Sequence, residues 1–263
     1  MSSSYVRQVS AIAAAANRPC AARFRVRHLR DLGRRRAKAG GSYGGHAINV
    51  GPFTFLKIAV GLYRFPPGQP LDPAVQGELL RELYRDYPTL TQIPGGAMFS
   101  DPPKGRVLIV DPAKIELTAM NTPSAHAAID RMKDDLKKIA PALHVAPPFR
   151  LRVEGAGTIQ ALEGLDPVAT LKAYAPPRPS WTDLVGRCTF SGLRYVFAAD
   201  DGAQHDVHVE PLFAQPDKFF ITITSSTGPQ GVNSLDDAIE HALRESEIIE
   251  RLSDRIVSDI AGA

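Results

Sequence analysis

The stretch His205-Asp206-Val207-His208-Val209-Glu210 is the part of the chain best equipped for chemistry. In an extended strand successive side chains alternate between faces, so Asp206, His208 and Glu210 share one face in steps of about 7 Å. Such a row can give two ligands to a metal ion, or a histidine oriented by a carboxylate. A metal-dependent hydrolase centred on His208 is therefore one function to test. The other face carries Val207 and Val209, and a half-solvated antiparallel strand shows this polar row without any chemistry. No helix adds a pair such as His-x-x-His to finish a site. The row is read first as a wet strand face, and no metal, cofactor or catalytic residue is expected from it.

Phosphate-binding chemistry is concentrated elsewhere. Of the 31 Lys and Arg, ten fall in the first 45 residues, where Asp31 is the single acid; the other 218 residues carry 21 bases against 27 acids. Arg23, Arg25, Arg27, Arg30, Arg34, Arg35, Arg36 and Lys38 suit phosphate contacts, which release counterions and make binding salt-dependent. The same basic, Ser-containing composition fits an organelle leader, a lipid-contacting segment, or translated sequence upstream of the true start. No aromatic platform accompanies the arm.

The remaining motifs are incomplete. Gly155-Ala156-Gly157 follows a strand but lacks the third glycine of a dinucleotide loop, since position 160 is Gln160; a strand kink is expected. Asp101-Pro102-Pro103-Lys104-Gly105-Arg106 is a tight basic loop without the phosphate-loop pattern. Cys20 and Cys188 are the two cysteines, too few for a disulfide framework and suited to a reducing compartment. Cys188 is expected to be a buried thiol. No apolar run approaches the roughly 20 residues of a membrane span. A cytoplasmic location is the expectation.

The elements that must position these residues can be read from periodicity and breakers. Residues 1–45 show no sustained hydrophobic period and end in Gly40-Gly41-Ser42-Tyr43-Gly44-Gly45, a flexible hinge behind a disordered basic arm. Phe53 to Phe65 reads as a strand. Asp72 and Pro73 open a helix that Pro88 stops, with Leu79 and Leu83 on its buried face. Short strands follow at Ala97–Ser100, Arg106–Val110 and Ile115–Met120. A second helix opens at Thr122-Pro123 and ends at Pro141, and Phe149, Leu151 and Val153 alternate with charged residues in a further strand. Residues 46–174 are thus expected to form a ferredoxin-like antiparallel sheet with its helices on one face.

A short helix from Asp166 to Tyr174 leads into the proline-rich linker at 175–180, where Trp181 is expected to anchor the junction. Residues 175–263 then read as three strands and a helix packed on the first half. Two of those strands flank Asp200-Asp201-Gly202, a hairpin turn in which glycine supplies positive φ. The last helix is capped by Ser234 with Asp237, and its apolar face runs from Ile239 to Ile260. A terminal helix of that length must dock on the body or on a partner. The fold class is α+β.

Several short segments together resemble a sporadically distributed family of uncharacterised bacterial proteins of about 250 residues. They are Tyr87-Pro88, Gly192-Leu193-Arg194-Tyr195-Val196, the strand Phe219–Thr224, Glu240-His241, and the turn Leu252–Ile256. The likeness covers residues 48–260 and implies no activity and no catalytic residue. The expected function is a non-enzymatic binding or assembly subunit of a bacterial multi-protein system, with a defence setting by association. Its protein partner, or a second copy, would dock through the C-terminal helix. The alternative is a nucleic-acid-binding protein using the arm together with Arg150, Arg152 and Arg187.

Overall fold

The computed structural model describes residues 50–63, 68–143, 145, 147–162, 164–176 and 191–261. The basic arm, the glycine hinge, Cys20, Cys188, Trp181 and Arg187 lie outside the described residues.

The long apolar strand β1 spans Val50–Tyr63. Asp72 then accepts a hydrogen bond from the Ala74 N–H at 2.7 Å, and Pro73 takes the first position of α1 (Pro73–Leu83). A meander follows, formed by β2 (Thr89–Ile93), β3 (Gly96–Asp101), β4 (Arg106–Val110) and β5 (Lys114–Met120). Strand β2 is absent from the sequence reading because Thr89, Thr91 and Gln92 give it no apolar alternation; pairing with β3 makes it a strand. Ser124 caps α2 (Ala125–Ala142), accepting from the Ala127 N–H at 3.0 Å. Pro141 sits inside the last turn of α2, and the helix stops one residue later than expected.

Next comes β6 (Arg150–Ala161), followed by α3 (Pro167–Tyr174) with Asp166 as its cap. Strands β7 (Leu193–Ala198), β8 (Gln204–Pro211) and β9 (Lys218–Ser226) form the second meander. Gly202 closes the β7–β8 turn at φ +82°, where a residue with a Cβ is disfavoured. Ser234 accepts from the Asp237 N–H at 3.0 Å and opens α4 (Leu235–Ala261).

Among the described residues, nine strands join in one antiparallel sheet of order β2-β3-β4-β5-β1-β6-β9-β8-β7. The chain is α+β. Its sequence of elements runs strand, helix, meander, helix, and then the same again. Within each set the last meander strand lies beside the first strand, so β1 and β6 meet at the centre as equivalent strands. The second set starts at β6, and the linker beyond residue 174 connects α3 to β7 within it. Strand β6 is longer than its alternating start suggests because its glycines are paired on both sides, with β1 and with β9.

Hydrophobic residues on one face of the sheet pack under the helices in a single cluster. Val60 on β1 stands beside Leu117 of β5 and Val153 of β6, and all three are buried. A bulge between Phe55 and Lys57 shifts the alternation so that Phe55 and Ile58 both reach this face. Gly155 lies opposite Ile58, and a Cβ there would come within 2.7 Å of the Ile249 side chain of α4. Gly157 has no room either, against the Thr54 carbonyl and the Phe53 ring. The glycine pair lets β1 and α4 approach β6 closely. It is packing space, and the strand continues through it.

Candidate functional site

Among the described residues, three polar environments gather side chains capable of chemistry, and the sheet decides which side each one faces. Asp206, His208 and Glu210 share the face away from the helices, as alternation requires. Asp206 is held there by the fork of Arg194 across the β7–β8 pair, with Nε to Oδ1 at 3.0 Å and Nη2 to Oδ2 at 2.7 Å. His208 Nε2 lies 3.0 Å from the same Oδ1. The Arg194 guanidinium, first of all, holds the Asp206 carboxyl below its ordinary range. Both Asp206 oxygens are thus engaged, Glu210 is exposed, and among the described residues no three His, Cys, Asp or Glu side chains are grouped to hold a metal ion.

The open face continues across β8, β9, β6, β1 and β5 with charges and hydroxyls, beside apolar Phe220 on β9 and Val107 and Ile109 on β4. Glu154 receives Lys57 Nζ and Arg152 Nη2, each at 2.9 Å. Lys114 pairs with Glu116 at 3.0 Å. The Tyr63 ring lies over Gly61, where a Cβ would come within 2.7 Å of it. Towards β7, a groove of about 290 Å³ is lined by Arg152, Arg194, Gln204, Asp206, Thr224 and Ser226, with Val196 at its rim. Lys57, Arg152 and Arg194 on this face each have an acidic neighbour, so the face is a mosaic of paired charges and not a basic stripe.

The helix side hides a second histidine system. His205 stands on the Val207–Val209 face, and its Nε2 lies 2.8 Å from Glu245 Oε2. The Ser225 hydroxyl donates to the same oxygen at 2.8 Å. On the other side of the carboxylate, His241 Nε2 lies 3.6 Å from Oε1, too long for a hydrogen bond, and is buried without a partner. Arg244 Nη2 donates to His241 Nδ1 at 2.5 Å, which places the ring proton on Nε2. The hydrogen bond to Glu245 raises the basicity of His205, whereas burial lowers that of His241. Burial raises Glu245, but the hydrogen bonds from His205 and Ser225 outweigh it and leave the carboxyl below its ordinary value. Ser225 donates to a carboxylate and not to an imidazole, so nothing there generates a nucleophile. Both Ser225 and Glu245 are buried beyond reach of a substrate. This cluster fastens α4 to the sheet.

A matching cluster occurs in the first half. Asp135 of α2 accepts from the Tyr87 hydroxyl at 2.7 Å and from Arg106 Nη2 at 3.1 Å. Arg106 also lies over the Tyr87 ring, 5.3 Å from its centroid. Burial first, and the Asp135 charge next, push the Tyr87 hydroxyl far above its ordinary value. Arg106 begins β4 and His205 lies near the start of β8, the penultimate strands of their meanders. Asp135 and Glu245 each occupy the eleventh position of their helix. The tight basic loop is the turn before β4: Lys104 Nζ pairs with Asp101 Oδ2 at 2.9 Å, and Gly105 adopts φ +62°.

Comparison with known proteins matched no family model and no curated protein. The arm residues Arg23 to Lys38 lie outside the described residues, so geometry gathers none of them into a site. Among the described candidates, the structure keeps Asp206 and His208 together and leaves Glu210 apart. The buried pairs were missed by the sequence reading, although a signal for them existed. Position 205 shares the parity of Val207 and Val209, which sends His205 to the core side. Aligning the caps Ser124 and Ser234 superposes Ala128-Ile129-Asp130 on Ala238-Ile239-Glu240, Asp135 on Glu245, and Ile139 on Ile249.

Proposed function

We propose that the chain is a non-enzymatic binding or assembly subunit, within a bacterial multi-protein system of the kind suggested by its family resemblance. The observation that carries this reading is the asymmetry of the sheet. The described helices lie against one face, and the described residues of the opposite face carry paired charges and hydroxyls beside an apolar groove lined by Pro211, Leu212 and Phe220. Such a mosaic suits a protein partner, because directional ion pairs and hydroxyls give specificity across a broad contact. The apolar face of α4 is occupied by β1, β6 and α2. A partner reaching the C-terminal helix would therefore meet its charged outer side.

A photo-crosslinking residue at Thr224, on the open face, is expected to capture one reproducible protein from the native host. The same probe at Glu247, on the outer side of α4, is not. Equal capture at both positions, or turnover of a simple substrate by a strictly monomeric protein, would sink the reading.

We also infer a ferredoxin-like layout for the first half. The run β6-β1-β5-β4, with α1 after β1 and α2 before β6, supports it, and the hairpin β2–β3 extends its edge. A second functional reading, nucleic-acid binding, rests on the charge split between residues 1–45 and the remainder. It predicts affinity that falls steeply with salt and is lost on removing residues 1–45; unchanged binding after truncation would reject the arm's role. A hydrolase centred on His208 predicts bound metal by elemental analysis and a loss of activity in His208→Ala.

A further inference from the structure

The two ends of the sheet are built differently. Strand β2 lies between Pro88 and Pro94 and carries Thr89, Thr91 and Gln92. A strand of five residues closed by a proline at each end is one of the devices that discourage edge-to-edge pairing. Strand β7 has no such prolines. Its residues Leu193-Arg194-Tyr195-Val196-Phe197-Ala198 contain no proline, glycine or lysine, and their register with β8 is unbroken. The one charge, Arg194, is neutralised by Asp206. Tyr195, Val196 and Phe197 are nevertheless 50%, 58% and 50% exposed. The Tyr195 and Phe197 rings stack with centroids 6.3 Å apart on the helix side. Tyr174 of α3 is also half-exposed, and burial beside Asp259 and Tyr195 raises its hydroxyl above the ordinary value.

The backbone of this edge is equally specific. The Ala199 N–H donates to the Ala203 carbonyl at 2.8 Å. Antiparallel ladders alternate bonded and non-bonded pairs, so Tyr195 and Phe197 bond to β8 while Arg194, Val196 and Ala198 direct N–H and C=O outward. Among the described residues β7 pairs with β8 alone.

We propose that β7 pairs antiparallel with β7 of a second copy about a two-fold axis at Val196, joining two nine-stranded sheets into one. The strand is complementary to itself in this register. Val196 meets Val196 of the second copy, and Arg194 meets Ala198 of the second copy, so no like charges oppose. Tyr195 meets Phe197 of the second copy on the helix side, an aromatic cross-strand pair at each end of the axis. The contact is isologous and closes as a dimer. It goes beyond the binding role proposed above, which needs no second copy.

Sedimentation or light scattering of the full chain is expected to give twice 28.5 kDa at micromolar concentration. Val196→Pro removes an outward N–H without touching the bonds to β8, and should give the monomer mass with an unchanged circular dichroism spectrum. Register is read by cysteine pairing in a Cys20→Ser, Cys188→Ser background. Val196→Cys chains should crosslink to one another on mild oxidation. Ala198→Cys chains alone should not, since those positions lie about 13 Å apart across the axis. Mixing Ala198→Cys with Arg194→Cys chains should restore the crosslink. A full chain that stays monomeric, with no Val196→Cys crosslink, overturns the proposal. A dimer unchanged by Val196→Pro overturns it equally, whereas captures by the Thr224 probe are unaffected by either result.

Discussion

Glu245 shows how strongly one buried charge depends on its neighbours. Its two oxygens face His205, Ser225 and His241 in a largely buried space, so removing the carboxylate leaves His205 without its counter-charge and Ser225 without its acceptor. Glu245→Ala should lower unfolding free energy by about 3–5 kcal/mol in urea titration, the usual effect of breaking a buried pair from one side. Asp206→Ala, on the solvated face, should cost less. The pH dependence follows from the directions of the shifts. His205 binds its proton more tightly in the folded chain, so its contribution is complete below the ordinary histidine value and disappears as pH rises through the folded value. A His205→Gln chain should therefore show its largest deficit in mildly acidic buffer, narrowing as the pH is raised. Glu245 sets the opposite limit, its contribution being lost as pH falls through its depressed value. His241 opposes His205, because its depressed value removes stability as pH falls below the ordinary histidine value. A deficit for His205→Gln that grows with pH would contradict this geometry.

At the scale of elements, glycine content and helix capping decide how closely strands and helices approach. Gly155→Ala must displace a side-chain methyl of Ile249, and such overpacking costs about 1–3 kcal/mol. Gly157→Ala meets the backbone carbonyl of Thr54 and has less freedom to adjust, so its loss of stability should be the larger. Thermal melts of the two variants test the order, and a milder Gly157→Ala would show that β1 yields there. The helices are also joined to each other. Glu250 of α4 accepts from the His126 N–H at 3.0 Å at the start of α2, and Lys137 near the end of α2 pairs with Asp236 at 3.0 Å at the start of α4. These contacts set the two helices antiparallel, as the repeated order of elements requires.

For the whole molecule, the central fact is that neither half encloses its own core. Strands β1 and β6 pair along most of their lengths, and α2 and α4 pack together above them. Scanning calorimetry should therefore record one cooperative transition for the 47–263 body; two resolved transitions would show that the halves are separable. Much of this body was legible in its residues. Asp72-Pro73, Asp166-Pro167 and Ser234 with Asp237 mark three helix starts, because capping is a local contest for a few backbone N–H groups. Asp200-Asp201-Gly202 marks the hairpin, because positive φ is likewise a local demand. Periodicity also separates the Val207–Val209 face from the Asp206–His208 face.

Sheet order, in contrast, joins segments about a hundred residues apart, and no residue type encodes which strand will lie beside β6. The meander strand β2 and the second half of β6 escape the sequence for the same reason: polar residues and glycines become strand only when neighbours complete their ladders. The residues alone settled where most elements begin and which face of each is apolar, since those depend on contacts within a turn or two. Tertiary structure decided that His205 and Arg106 would face buried carboxylates at equivalent positions of α2 and α4. It also decided that Asp206 would be held by Arg194, and that β7 would form the edge. Burial and partnership belong to the assembled sheet, where distant segments exclude water from one another.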